Sequence, residues 1–194
     1  MINNELVLCE GRHIRLTPAR LEDATLIARL RNASRHCFLN DEKTTPDQAT
    51  RWLQAMNFPE EVLLRIETRT GEVLGFAGWS HLDMNRQEAE IGRLMIDPRA
   101  ILRHIPHPRR QDIAVDAVRA IGFYLFNHSG LQRIRTAYIA GNQNAARVNQ
   151  RCGMKPCSTE TLSRKDGNAV EIIHLSLEIR DWSALRLVWM QEEY

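Results

Sequence analysis

Apolar residues recur along the chain in two rhythms, and the places where one gives way to the other divide it into elements. Arg12 to Leu16 reads as a short strand; after Thr17-Pro18 the spacing of Leu21, Ala24, Ile27 and Leu30 is helical and runs out near Asn32. Asn40 to Thr45 is polar and loop-like. Thr45-Pro46-Asp47 then opens a second helix through Trp52 to Met56, because a proline at the first helical position has no needed N–H to lose. From Glu61 the period shortens to two: Val62 to Thr68, Val73 to Leu82 and Glu88 to Ile96 read as an antiparallel meander, with Thr70-Gly71 as its first turn. Asp97-Pro98 to Arg110 is basic and punctuated by proline, and is expected to be a loop. Ile113, Ala117, Ile121, Tyr124 and Leu125 form the clearest helical stripe, stopped by Ser129-Gly130. Arg133 to Ile139 follows as a strand and Asn142 to Arg151 as a short helix. Met154 to Thr161 and Val170 to Ile179 close the chain as strands around a Lys165-Asp166-Gly167-Asn168 turn. Trp182, Leu185, Val188 and Trp189 predict an amphipathic tail over 181–194, which offers a homodimer contact if its own chain leaves it uncovered.

No repeat, low-complexity block or linker interrupts this order, so residues 1–194 are expected to form one domain. At 43% hydrophobic and 26% charged residues the chain is of ordinary globular composition, and its length allows it to bury roughly 70% of its unfolded surface. A formal charge of +2 gives no global attraction for nucleic acid or an anionic membrane. Cys9, Cys37, Cys152 and Cys157 form no C-x-x-C spacing and read as thiols in a reducing compartment. The start Met-Ile-Asn-Asn-Glu lacks the pattern of a signal peptide, which makes the cytoplasm the expected location. His104 and His107, flanked by proline and arginine, do not make a metal-ligand set.

Three segments carry chemistry. Ala89-Glu90-Ile91-Gly92-Arg93-Leu94-Met95-Ile96-Asp97-Pro98 holds the third strand of the meander and its exit; Arg109-Arg110-Gln111-Asp112-Ile113-Ala114 opens the long helix; Gly141-Asn142 through Asn149 to Gly153-Met154 spans the short one. Together with the element order, over most of residues 12 to 179, these resemble the GNAT acyltransferase family, whose members acetylate amines from acetyl-CoA. The resemblance implies an α+β fold: a mixed, mostly antiparallel sheet flanked by helices, with its fourth and fifth strands splayed around the pantetheine arm. It implies that the backbone near Met95 or Ile96 faces the reacting carbonyl. It also places the phosphates at Arg109, Arg110, Gln111, Asp112, Ile113 and Ala114, and cofactor contacts at Asn142 and Asn149. The start Leu30-Arg31-Asn32, with Phe38-Leu39-Asn40, Gln48 and Trp52, looks like relatives that acetylate ribosomal-protein N-termini or nucleotide-linked amino sugars.

The residue types suit these tasks. A helix start presents unpaired N–H groups to an anion, and arginines add charge-assisted bonds. Asp112 replaces the glycine of the family pattern; a carboxylate about 4 Å from a phosphate oxygen costs roughly 1 to 4 kcal/mol. Either it turns outward, with Arg99, Arg103, Arg109 and Arg110 compensating, or the site is weakened. Asn142 suits an amide-rich arm but equally caps a helix. Asn149 stands where many relatives have a proton-donating tyrosine, and an amide has no proton to give. For the base that deprotonates the amine, Glu90 is the first candidate, with Glu88 on the same strand face and His81 as the imidazole alternative; a solvated strand edge is the plain reading of both glutamates. The expectation is direct acetyl transfer to a primary amine of a small molecule or protein N-terminus. The alternatives are a degenerate GNAT-like binding module and a phosphate- or nucleic-acid-binding protein acting through the basic segment 99–110.

Overall fold

The computed structural model describes residues 8–165 and 167–191; the Met-Ile-Asn-Asn-Glu start, Asp166 in the last turn and the final three residues of the tail lie outside them. The chain runs β1 (Cys9–Glu10), β2 (Ile14–Pro18), α1 (Ala24–Ala33), α2 (Pro46–Ala55), β3 (Val62–Thr68), β4 (Val73–Asp83), β5 (Glu88–Ile96), α3 (Pro98–His104), α4 (Ile113–Phe123), β6 (Arg133–Ile139), α5 (Gln143–Arg151), β7 (Lys155–Ser163), β8 (Ala169–Glu178) and α6 (Ile179–Gln191). The strands form one eight-stranded sheet in the order β1-β2-β3-β4-β5-β6-β8-β7. Every neighbour pair is antiparallel except β5 and β6, which run parallel.

Alternation along the central strands explains the layers. Leu64, Ile66, Leu74, Ala77, Trp79, Ala89 and Ile91 point to one face and pack with the α4 stripe of Ile113, Ala117 and Ile121. Leu63, Phe76 and Met95 point to the other and meet Ala24, Ile27 and Ala28 of α1 and Ala49 of α2. Helix α2 starts where a reciprocal cap allows it: Thr45 Oγ1 accepts from the Gln48 N–H at 3.2 Å, and Gln48 Oε1 accepts from the Thr45 N–H at 2.7 Å. The C-terminal helix is docked. Trp182 is 4% exposed, its ring centroid 5.3 Å from that of Phe126, and a Cβ on Gly122 would stand only 3.0 Å from it. Trp182 is therefore covered within the chain, while Leu187 and Val188 of the same helix stay exposed.

One element corrects the sequence reading. The segment after Asp97 is not all loop: Pro98–His104 is a helix, with the Asp97 carboxylate accepting from the Arg99 N–H at 3.0 Å. Ile101 and Ile105, four apart, bury themselves in the α4-side core and hold the helix down.

Candidate functional site

The parallel ladder between β5 and β6 is short. It joins Glu88 to Arg133, Ala89 to Ile134 and Glu90 to Arg135, and then stops. The reason lies in β5, where Gly92 opposes Gly78 but Met95 opposes Phe76, so the strand carries an extra residue and Arg93 takes a positive φ of 56°. Such a bulge bends the strand away from its neighbour. Beyond it the Asp97 N–H bonds Leu74 O in β4 at 2.8 Å, and Met95 O also faces β4, beside Gly75. Backbone groups alternate sides along a strand, so Ile96 turns its N–H and C=O to the edge that β6 has left. Of the two backbone positions expected near the reacting carbonyl, Ile96 offers an outward N–H and Met95 does not.

At the closed end of this crevice Glu88 is 6% exposed and ringed by Arg135 at 3.3 Å, Arg133 at 3.7 Å and Arg86 at 4.0 Å. It is a charge anchor for the last paired residues. Glu90 differs: its carboxylate is 39% exposed, and Oε2 lies 3.6 Å from His81 Nδ1. Alternation turns Glu90 away from Ala89 and Ile91, toward the face covered by α1 and α2.

At the other end stands the start of α4, preceded by a 3₁₀ turn over Arg109–Gln111. Asp112 is engaged by a residue that sequence spacing does not reveal: Arg151 of α5 donates from Nη2 to Asp112 Oδ1 at 2.6 Å and from Nη1 to Gln111 O at 3.1 Å. Arg110 is engaged elsewhere, its guanidinium donating to the carbonyls of Ile105 at 2.8 Å and Leu102 at 3.1 Å, at the end of α3. Arg109 is exposed, Ile113 is fully buried and contributes only backbone, and Ala114 is half-buried. Asn142 caps α5, its Oδ1 accepting from the Ala145 N–H at 3.1 Å, which leaves its amide nitrogen for other contacts. Asn149 is 8% exposed, and its side chain has no hydrogen-bond partner among the described residues.

On the α1/α2 face a cavity of about 490 Å³ opens beside Met95, walled by Arg31, Phe38, Gln48, Trp52 and Arg93. Arg93 is brought there by the bulge; it donates to Glu61 at 2.5 Å and to Trp79 O at 3.2 Å, and lies 5.3 Å from the Trp52 ring centroid. Burial pulls the Arg93 and Arg31 guanidiniums below the ordinary arginine pKa, with Glu61 and Glu90 opposing the shift at Arg93. A split strand pair with a helix start at one end, and a separate cavity meeting it at Met95, can hold a long carrier and a second reactant on opposite faces of one strand.

Comparison with known proteins decides the family. The family model described as an acetyltransferase (GNAT) domain matches residues 13–155. The chain belongs to the GNAT acetyltransferase family. Its members use acetyl-CoA to acetylate amines. A GNAT protein from Brucella melitensis, solved as a GCN5-related N-acetyltransferase, superposes with a TM-score of 0.75 at 18% identity over 97% of this chain and 86% of that one. A probable GNAT acetyltransferase from Chromobacterium violaceum gives 0.73 at 16% identity, over 93% and 91% of the two chains. Spermidine N-acetyltransferase from Vibrio cholerae, solved with CoA and spermine, gives 0.70 at 14% identity over 88% and 98%. No curated protein sequence matches the chain. No helix among the described residues of this GNAT protein is long and apolar enough to cross a membrane.

Proposed function

We propose that this chain moves the acetyl group of acetyl-CoA to a primary amine of a small molecule or protein N-terminus by direct attack. The observation that carries this is the β5–β6 ladder ending after Glu90 and Arg135, with Ile96 turned to the vacated edge. An amide-bearing arm laid along that edge meets backbone donors and acceptors as an added strand would. The start of α4, with Arg109 beside it, receives the phosphates, and the Asn142 amide serves the arm. Acetyl-CoA supplies the acetyl group as an activated thioester. The Ile96 N–H faces the carbonyl oxygen as charge develops there. Glu90 takes the proton from the attacking ammonium, directly or through water, with His81 beside it. The C–S bond breaks as the C–N bond forms, and the departing thiolate collects its proton from water, since Asn149 has none to give. Arg31, Gln48 and Trp52, part of the resemblance to the ribosomal-protein and amino-sugar enzymes, wall the cavity beside Met95, which supports seating the acceptor there. We also place the enzyme in a reducing compartment, in keeping with its four free thiols.

In this reading Arg151 neutralises the carboxylate that replaces the family's glycine. Arg151→Ala is expected to weaken acetyl-CoA binding about tenfold, the effect of roughly 1.4 kcal/mol of restored repulsion. Asp112→Gly is expected to bind at least as tightly as wild type, and the double variant to recover most of the loss. Calorimetric titration of the four forms checks this; absence of binding by all of them contradicts the proposed function.

A further inference from the structure

The charges around the cavity beside Met95 do not balance. Its charged walls are Arg31, Lys43 and Arg93 against Glu42 alone. Of the neighbouring carboxylates, Glu42 pairs with Lys165 at 2.9 Å, Asp41 lies 3.9 Å from Arg164 and Glu61 holds Arg93, while Glu90 stays open for the reacting amine. Lys43 has no acidic partner among the described residues, and neither does Arg31. Arg31 is nonetheless fixed in place. Its Nη2 donates to Asn40 O at 2.7 Å, and its guanidinium carbon lies 3.9 Å from the Phe38 ring centroid. Its Nη1 is buried without a hydrogen-bond partner. A guanidinium tethered this way, half-buried and without an acidic partner, gains most from an anionic oxygen.

We propose that the acceptor amine carries an anionic group, a carboxylate or a phosphate, which Arg31 receives inside this cavity. The inference rests on the acetyltransferase reading and narrows its substrate class. It sets this chain apart from a polyamine site, because spermidine brings only positive charge to a cavity where Arg31 and Lys43 have no acidic partner among the described residues.

Matched pairs test it: β-alanine against β-alaninamide for the carboxylate, O-phosphoethanolamine against ethanolamine for the phosphate, and spermidine as the cationic control. CoA release measures acetylation, and calorimetry on the CoA-loaded protein measures binding. In at least one pair the anionic member is expected to exceed its neutral partner by about tenfold, with spermidine the poorest. Arg31→Gln is expected to level that pair while acetyl-CoA affinity stays unchanged, which also shows that the variant is folded; Arg31→Lys is expected to keep part of the preference. Equal or reversed preference in both pairs, no measurable binding of either anion, or a preference that survives Arg31→Gln overturns the inference. Those outcomes leave acetyl-CoA binding intact, whereas failure of acetyl-CoA to bind removes the acetyltransferase reading itself.

Discussion

Glu90→Gln is expected to lower kcat about 100-fold, within the range that a positioned general base contributes, while acetyl-CoA affinity changes little. The substitution keeps the shape of the side chain and removes only its ability to accept a proton. Glu90 is the better placed of the two strand glutamates because Glu88 is enclosed by three arginines, whereas the Glu90 carboxylate is open and faces the α1/α2 side. His81 sits at φ 52°, a left-handed conformation that asparagine tolerates, so His81→Asn preserves the backbone and tests the imidazole separately. A smaller loss is expected there, because His81 Nδ1 stands 3.6 Å from Glu90. An undiminished kcat in Glu90→Gln would move the base elsewhere.

The second large effect is on stability. Arg65→Met is expected to cost about 3–5 kcal/mol and to lower the melting temperature by roughly 10 °C, measured by denaturant and thermal unfolding. Arg65 on β3 is 7% exposed and grips Asp23 with two bonds of 2.6 and 2.7 Å, Glu22 with one of 2.7 Å, and lies 3.6 Å from Glu67. Burial alone would draw its pKa down, but the bonds from Asp23 and Glu22 hold it above the ordinary arginine value. Without the guanidinium, Asp23 stays buried at 5% exposure stripped of both its Arg65 bonds, while Glu67 keeps Arg15 at 3.1 Å. Asp23→Asn added to Arg65→Met should recover part of the loss. The same pair fixes the entry to α1, the helix that carries Arg31 to the acceptor cavity. Unfolding within about 1 kcal/mol of wild type would show that the network is dispensable.

The strands of the central meander were legible because a half-buried strand writes period two into its sequence, and α4 because a helix covering a sheet writes its stripe. Helix α3 was hidden by its own surface: among Pro98–His104 only Ile101 is buried, and the basic residues and prolines around it resemble a loop. Its start signal, Asp97 before Pro98, was nevertheless present. The bulge that parts β5 from β6 left no mark, because it falls on an ordinary Gly92-Arg93 and depends on how β4 pairs. Arg151 could not be matched to Asp112 across 39 residues, although Asp112 itself stood out as a carboxylate in place of the family's glycine. Glu88 and Glu90 were rightly set on one face, yet only contacts from β6 distinguish the anchored carboxylate from the open one.

Backbone amide NMR during titration with acetyl-CoA tests the occupancy of the β5–β6 crevice most directly. Saturable shifts are expected at Leu94 and Ile96, along Thr136 to Ile139, and at Ile113 and Ala114 where the phosphates rest. Amides on those segments that stay unmoved at saturating acetyl-CoA, or shifts gathered on a different face of the sheet, would contradict the account.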